Sequence, residues 1–195
     1  LILKSNQILI LILLILGVLS LIEFFQIIRK IIKNSFKELM INIIFCIYIF
    51  IFCLLFYFFS NLVQLKFLLF TILFGCIGSD IGGYFFGKII KGPKLTKISP
   101  KKTISGAFGS VIFTCLIISS LFFFFTQLFT YKILILGIII SIACQIGDLF
   151  FSVLKRKAKI KDTGNILPGH GGILDRIDGI LIGVPLGIIF LLFTI

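Results

Sequence analysis

The chain has 195 residues, 59% of them hydrophobic and 13% charged, with a mean hydropathy of +1.26 and a formal net charge of +12. That much apolar surface cannot be hidden in one soluble core, so a soluble globular domain is excluded and lipid becomes the solvent. Taken alone, the positive charge admits either nucleic acid or an anionic membrane surface as partner, and only its placement along the chain discriminates.

Crossing the hydrocarbon takes about 20 mostly apolar residues, and six runs qualify: 7–28, 41–60, 65–87, 106–125, 132–154 and 177–195. The expected fold is therefore all-α: a polytopic integral membrane helical bundle of about six transmembrane helices joined by polar cytoplasmic loops. The runs recur along the whole chain and exceed the length of a signal-peptide core, so they are spans and not one cleaved leader. The first residue is Leu1 and an apolar run follows almost at once, so the sequence is expected to be a fragment, a processed form, or one that begins at an unusual start codon.

Basic residues sort by loop. Arg29, Lys30, Lys33 and Lys37 lie between the first two spans, and Lys88, Lys91, Lys94, Lys97, Lys101 and Lys102 between the third and fourth. Lys155, Arg156, Lys157, Lys159, Lys161 and Arg176 surround the junction of the fifth and sixth, leaving Lys4, Lys66 and Lys132 for the opposite side. The positive-inside rule places residues 29–40, 88–105 and 155–176 in the cytoplasm and both chain ends outside. The charge thus lies on alternate loops at one face of the membrane, and no nucleic acid partner is expected.

Five cysteines, Cys46, Cys53, Cys76, Cys115 and Cys144, fall inside apolar runs with no CxxC, and the one histidine, His170, is remote from them. They are expected to be free thiols with neither metal nor disulfide. Phe-rich runs such as 56–59 and 122–125 need no explanation beyond bulky side chains facing acyl chains.

Acidic residues are scarce, seven in all. With Glu23 and Glu38 set aside as neighbours of the first loop, Asp80, Asp148, Asp162, Asp175 and Asp178 remain. A carboxylate at membrane depth costs at least about 2.5–3.5 kcal/mol, so Asp80 and Asp148, inside their spans, demand a cation or a basic partner. Asp148, Ser152 and Lys155 are spaced i, i+4, i+7, one face of the fifth helix, with Arg156 beside them. Pro168, Gly169, Gly171 and Gly172 then rule out regular helix before Asp175, Arg176 and Asp178 open the sixth. There the positive end of the helix dipole favours carboxylates. Oxygen ligands beside basic groups suit Mg2+ bound together with phosphates, which points to a nucleoside triphosphate.

Simpler readings hold for other stretches. Residues 29–37 are expected to be purely topogenic. His170 reads either as an ordinary polar loop residue or as an acid or base near neutral pH, and Gly171 and Gly172 either admit backbone to a phosphate or turn the chain. In the third span, GCIGSDIGGYFFGK, Gly78 with Gly82 and Gly83 with Gly87 form small-xxx-small pairs for close helix packing. They leave Asp80 as either a functional or a structural polar position, and Asp162 as possible only in a supporting part. Lys101 and Lys102 serve phosphate binding or inside anchoring equally well, with Thr103 and Ser105 as candidate helix caps.

The string from Ser152 to Asp178, SVLKRKAKIKDTGNILPGHGGILDRID, resembles the signature of the phosphatidate cytidylyltransferases: Ser, Lys-Arg, Lys-Asp, Pro-x-His-Gly-Gly and Asp-Arg-x-Asp in order. SDIGGYFFGK at 79–88, SPKKT at 99–103 and GDLFFS at 147–152 resemble the same family, so that the likeness covers roughly residues 75–178, about half the chain. One position departs from it, Ser105 standing where relatives usually carry Glu. Relatives also tend to be longer at the amino terminus.

The resemblance implies transfer of a cytidylyl group from CTP to the phosphate of phosphatidate, with release of diphosphate and a requirement for Mg2+. It implies a division into N-terminal membrane helices, 1–70, and a catalytic membrane domain, 71–195. It further implies Asp148 and Asp175 as metal carboxylates with Asp178 adjacent, and makes Lys155, Arg156, Arg176 and His170 the other expected catalytic groups. Ser152, Lys161, Lys101, Lys102, Gly171 and Gly172 are the expected phosphate-binding positions, and Asp80 and Asp162 the polar support. The nucleophile would be a lipid phosphate oxygen, already ionised at neutral pH, so that positioning and charge neutralisation replace a strong base. The partners are then CTP, phosphatidate and bilayer lipid at the cytoplasmic face of the cell (inner) membrane, with a homo-oligomer left open. The alternatives are another CTP-dependent lipid enzyme, either a CDP-lipid synthase for a different lipid or a polyprenol-type kinase. From a different class comes a small transporter, which would have little reason to gather its polar residues on one face.

Overall fold

The computed structural model describes residues 6–96, 99, 102–164 and 171–194. Among them are six helices, α1 Asn6–Ile31, α2 Ser35–Asn61, α3 Val63–Ile89, α4 Ile104–Thr126, α5 Tyr131–Lys157 and α6 Leu174–Thr194. All six are long and apolar enough to cross a membrane. Large apolar side chains such as Phe50, Leu116 and Phe124 point outward, as expected of a protein whose exterior contacts acyl chains and whose helices adhere by packing and interhelical hydrogen bonds.

The helices run past the apolar stretches that predict them. α2 begins at Ser35 and not near 41, because the Asn34 side chain accepts from the backbone N–H of Phe36 at 3.0 Å and of Lys37 at 3.2 Å, satisfying donors no helical carbonyl can reach. α5 continues to Lys157, where three basic residues occupy the last turn, at the negative end of the dipole. It then ends in a Schellman arrangement, Ile160 N–H to Lys155 O at 3.0 Å and Lys159 N–H to Arg156 O at 3.1 Å, with Lys159 left-handed at φ 57°. Thr103 caps α4 by accepting from Gly106 N–H at 3.1 Å. Ser105 instead donates to the Lys91 carbonyl across the preceding loop.

The chain forms two compact units. The first comprises residues 1–66 and 153–177. In it α1 and α2 pack through Phe24 and Phe45, stacked with centroids 3.7 Å apart, and Gly17 lies against Ile49 and Cys53.

The second comprises residues 67–152 and 178–195. Its core is built from Ile72, Ile118, Leu136, Ile140, Leu181 and Ile188. α3 and α4 meet through the glycines whose spacing anticipates it: a Cβ at Gly82 would come within 2.7 Å of the Gly109 carbonyl oxygen, and one at Gly109 would collide with the Phe86 ring. Beside this contact, buried Ser79, Ser110 and Ser141 join α3, α4 and α5. Ser79 and Ser110 hydroxyls are 2.6 Å apart, Ser141 donates to Ser110 at 3.2 Å, and Ser110 also reaches the Ser79 carbonyl at 2.8 Å. Replacing Ser110 by Ala is expected to lower the stability of the detergent-solubilised protein by about 1–2 kcal/mol, at roughly 0.6 kcal/mol per interhelical hydrogen bond with the orphaned hydroxyls added. A thermal unfolding series with Ser120→Ala as control measures it, since the Ser120 hydroxyl is exposed and bonds only within its own helix.

Candidate active site

In the first unit the chemistry gathers where the segment after α5 returns to start α6. Lys155, in the last turn of α5, reaches Asp175 Oδ1 at 2.5 Å, with both side chains 13% exposed. The other oxygen, Oδ2, lies within bonding distance of three donors: the Thr163 backbone N–H at 2.7 Å, the Thr163 hydroxyl at 3.0 Å and the Gly172 N–H at 3.1 Å. Each carboxylate oxygen offers about two lone-pair sites, so Oδ2 is saturated by the loop that folds around it, while Oδ1 accepts from Lys155. Gly171 sits at φ +82°, a left-handed conformation that favours glycine, with Asp162 beside it.

Behind this loop stands a residue that sequence reasoning set aside. Glu23, on α1, is 1% exposed. Its Oε1 accepts from Ile173 N–H at 2.9 Å and its Oε2 from Leu174 N–H at 2.8 Å, and the Thr163 hydroxyl lies 2.7 Å from Oε2. These amides belong to the start of α6, where helical N–H groups have no carbonyl partner and the dipole is positive. A carboxylate from another helix therefore caps α6, which explains its start at Leu174, ahead of the apolar run beginning near 177. The Thr163 hydroxyl has one proton for two carboxylates, Glu23 and Asp175, and serves one at a time. The signal that finds Glu23 is the one that singled out Asp80 and Asp148: a carboxylate well inside an apolar helix must have compensation.

Arg156, Lys161, Asp162 and Arg176 are exposed in the same unit, Arg156 reaching the Ile160 carbonyl at 3.5 Å. Lys101 and His170, with Pro168 and Gly169, lie outside the described residues.

The second unit holds the other carboxylates. Asp148 on α5 is ion-paired through Oδ2 with Lys102, which immediately precedes the Thr103 cap of α4. The Lys102 ammonium is buried at its nitrogen, and the contact lacks hydrogen-bond geometry. Asp80 on α3 is near enough to interact electrostatically with both Asp148 and Lys102. The three residues named from the third, fourth and fifth helical regions thus come together in one polar cluster. Asp178 accepts from its neighbour Gly179 N–H at 2.8 Å, and its carbonyl packs on Gly147 so closely that a Cβ there would clash. Ser152, half-buried on α5, belongs to this unit as well.

These donors fit a hard divalent cation in part. Asp148 is partly exposed, at 36% for its side chain, and keeps Oδ1 outside the Lys102 ion pair. Asp175 offers only Oδ1, which it shares with Lys155. Among the described residues no three His, Cys, Asp or Glu side chains form a metal cage. One or two carboxylates completed by water and phosphate oxygens is the usual Mg2+ arrangement.

Six helices long and apolar enough to cross a membrane, two of which carry lysine-paired carboxylates at Asp148 and Asp175, define an integral membrane protein. The chain matches the model of the cytidylyltransferase family over residues 2–194 and belongs to that family. It is similar to the phosphatidate cytidylyltransferase of Staphylococcus haemolyticus, 46% identical over 110 residues, covering 55% of this chain and 42% of that protein. The protein of the same name from Bacillus subtilis is 42% identical over 121 residues, 58% of this chain and 44% of the relative. That of Helicobacter pylori strain 26695 is 40% identical over 113 residues, 55% and 40% respectively. The matched part of the chain thus spans less than half the length of each of these relatives.

Proposed function

We propose that the chain acts as a phosphatidate cytidylyltransferase, moving CMP from CTP to phosphatidate to give CDP-diacylglycerol and diphosphate. The observation that carries this reading is Asp175, a carboxylate inside the signature-like 152–178 stretch, clasped by Lys155 and by the loop that begins α6. The names of relatives sharing 40–46% identity over 110–121 residues support the choice of substrates.

In the reaction a phosphate oxygen of phosphatidate attacks the α-phosphorus of CTP, and the bond to the β-phosphate oxygen breaks. Charge builds on the transferring group and on departing diphosphate, so fixed cations and positioning supply most of the acceleration. Mg2+ on Asp148 and Asp175 would neutralise phosphate charge when bound. Lys155, Arg156 and Lys161 are assigned to the phosphates of CTP or lipid, Lys102 to a further phosphate contact, and Arg176 to diphosphate. The distribution of basic residues supports a site at the cytoplasmic face of the cell (inner) membrane.

Purified protein in detergent with phosphatidate and Mg2+ is expected to transfer label into lipid from α-labelled CTP and none from γ-labelled CTP. Lipid labelled from the γ position would replace this reading by a CTP-dependent kinase, and no lipid label from either would overturn the assignment of phosphatidate as acceptor.

A further inference from the structure

We infer that Glu23 is a positioning residue for cytidylyl transfer, holding the start of α6 and the Thr163 side of the loop so that Asp175 is presented in one orientation. The assignment rests on the cytidylyltransferase reading and adds an α1 residue to its machinery. The geometry is local to one unit. Glu23 accepts from two successive backbone amides, Ile173 and Leu174, and meets a hydroxyl that also contacts Asp175.

Two glycines are shaped around the same carboxylate. A Cβ at Gly164 would lie 2.7 Å from Glu23 Oε1, and one at Gly172 would lie 2.5 Å from Oε2 and 2.7 Å from Oε1. Glu23 thus touches both sides of the loop, at Thr163–Gly164 and at Gly172–Leu174, while Asp175 binds the same Thr163 and Gly172. Neither phosphate nor cation need touch Glu23 for it to matter. Fixing the orientation of a ligand from behind typically changes metal affinity or activity by about 10–100-fold.

The charge is essential to this part. Glutamine in its place presents an amide N–H2 to donors on one side and loses the favourable interaction with the helix dipole. Removing the Thr163 hydroxyl attacks the same contact from the other partner, and Thr163→Ser keeps it.

The test uses the full chain in detergent with two readouts. Hydrogen exchange at the Ile173 and Leu174 amides is followed without CTP or Mg2+, and CMP transfer is followed against CTP and Mg2+ concentration. Glu23→Gln is expected to speed exchange at both amides, lower kcat/KM for CTP about 10–100-fold and raise the Mg2+ concentration for half-maximal rate. Thr163→Val should shift the same quantities in the same direction, with Thr163→Ser close to wild type and Glu38→Gln unchanged. Unchanged exchange in Glu23→Gln would overturn the cap, and faster exchange with unchanged rate and Mg2+ dependence would leave a cap with no positioning part, which also overturns the inference. A wild-type chain that transfers no CMP overturns the functional reading and the positioning part with it, whereas a loss confined to the Glu23 and Thr163 variants supports both.

Discussion

Asp175→Asn is expected to bring CMP incorporation to background, a loss of about 10³-fold or more, while the protein still inserts in the membrane. Removing one preorganised charge-stabilising group commonly costs about 10²–10³-fold, and here the same carboxylate also organises its surroundings. The substitution leaves the Lys155 ammonium without its anionic partner and sets an amide N–H2 against donors on one side, either Lys155 or Thr163 and Gly172. Breaking a buried pair on one side costs on the order of 3–5 kcal/mol, so the variant should also melt at lower temperature. The two consequences separate in the double variant Asp175→Asn with Lys155→Met. Stability should partly return because the orphaned charge is gone, and transfer should remain at background. Recovery of activity in the double variant would mean that Asp175 serves only to neutralise Lys155. A single Asp175→Asn variant with near-normal rate would remove Asp175 from the metal assignment.

The six spans were legible because membrane insertion depends on apolar length, which is local in sequence, and the glycines of GCIGSDIGGYFFGK announced a close helix contact for the same reason, though not that α4 is the partner. Helix ends were less so. Asn34 and Thr103 are recognisable caps, but Lys159 takes a left-handed position where glycine is the usual marker, and α6 is capped by a residue that precedes it by the length of most of the chain. Of the site, the α5 and α6 carboxylates could be picked out because acidic residues are so few. The partners could not. That Lys155 and not Arg156 or Lys161 holds Asp175, and that Lys102 holds Asp148, depends on tertiary geometry that neighbouring lysines in a basic loop do not distinguish. Glu23 was hidden by a different effect: its nearness to the basic turn after α1 offered a sufficient local explanation, and its true partners are contacts of very long sequence separation. The serine cluster was hidden too, since serine within a transmembrane helix is common and can satisfy its own hydroxyl on the preceding turn, as Ser20 and Ser60 do here.

Gly172→Ala concentrates the structural argument in one methyl group and is expected to lower the transfer rate by about 10²-fold or more. The added Cβ would run into the Thr163 hydroxyl and lie 2.5 Å from Glu23 Oε2. Both are side-chain ends and can move, but neither can move without loss. Glu23 is buried, so its displacement strips the Ile173 and Leu174 amides of their acceptor in a place water does not reach. Thr163 is the shared donor, so its displacement loosens Asp175 as well. One substitution therefore disturbs two carboxylates, which is why its effect should exceed that of Glu23→Gln. Coupling of this kind is non-additive: shortening the carboxylate with Glu23→Asp in the Gly172→Ala background should make room and recover part of the lost rate, although Glu23→Asp alone, with shorter reach, should reduce it. Steady-state rates for the two single variants and the double variant decide the matter. Losses that simply add would show that Gly172 acts independently of Glu23, through direct approach to a phosphate, and that the close contact between them has no bearing on transfer.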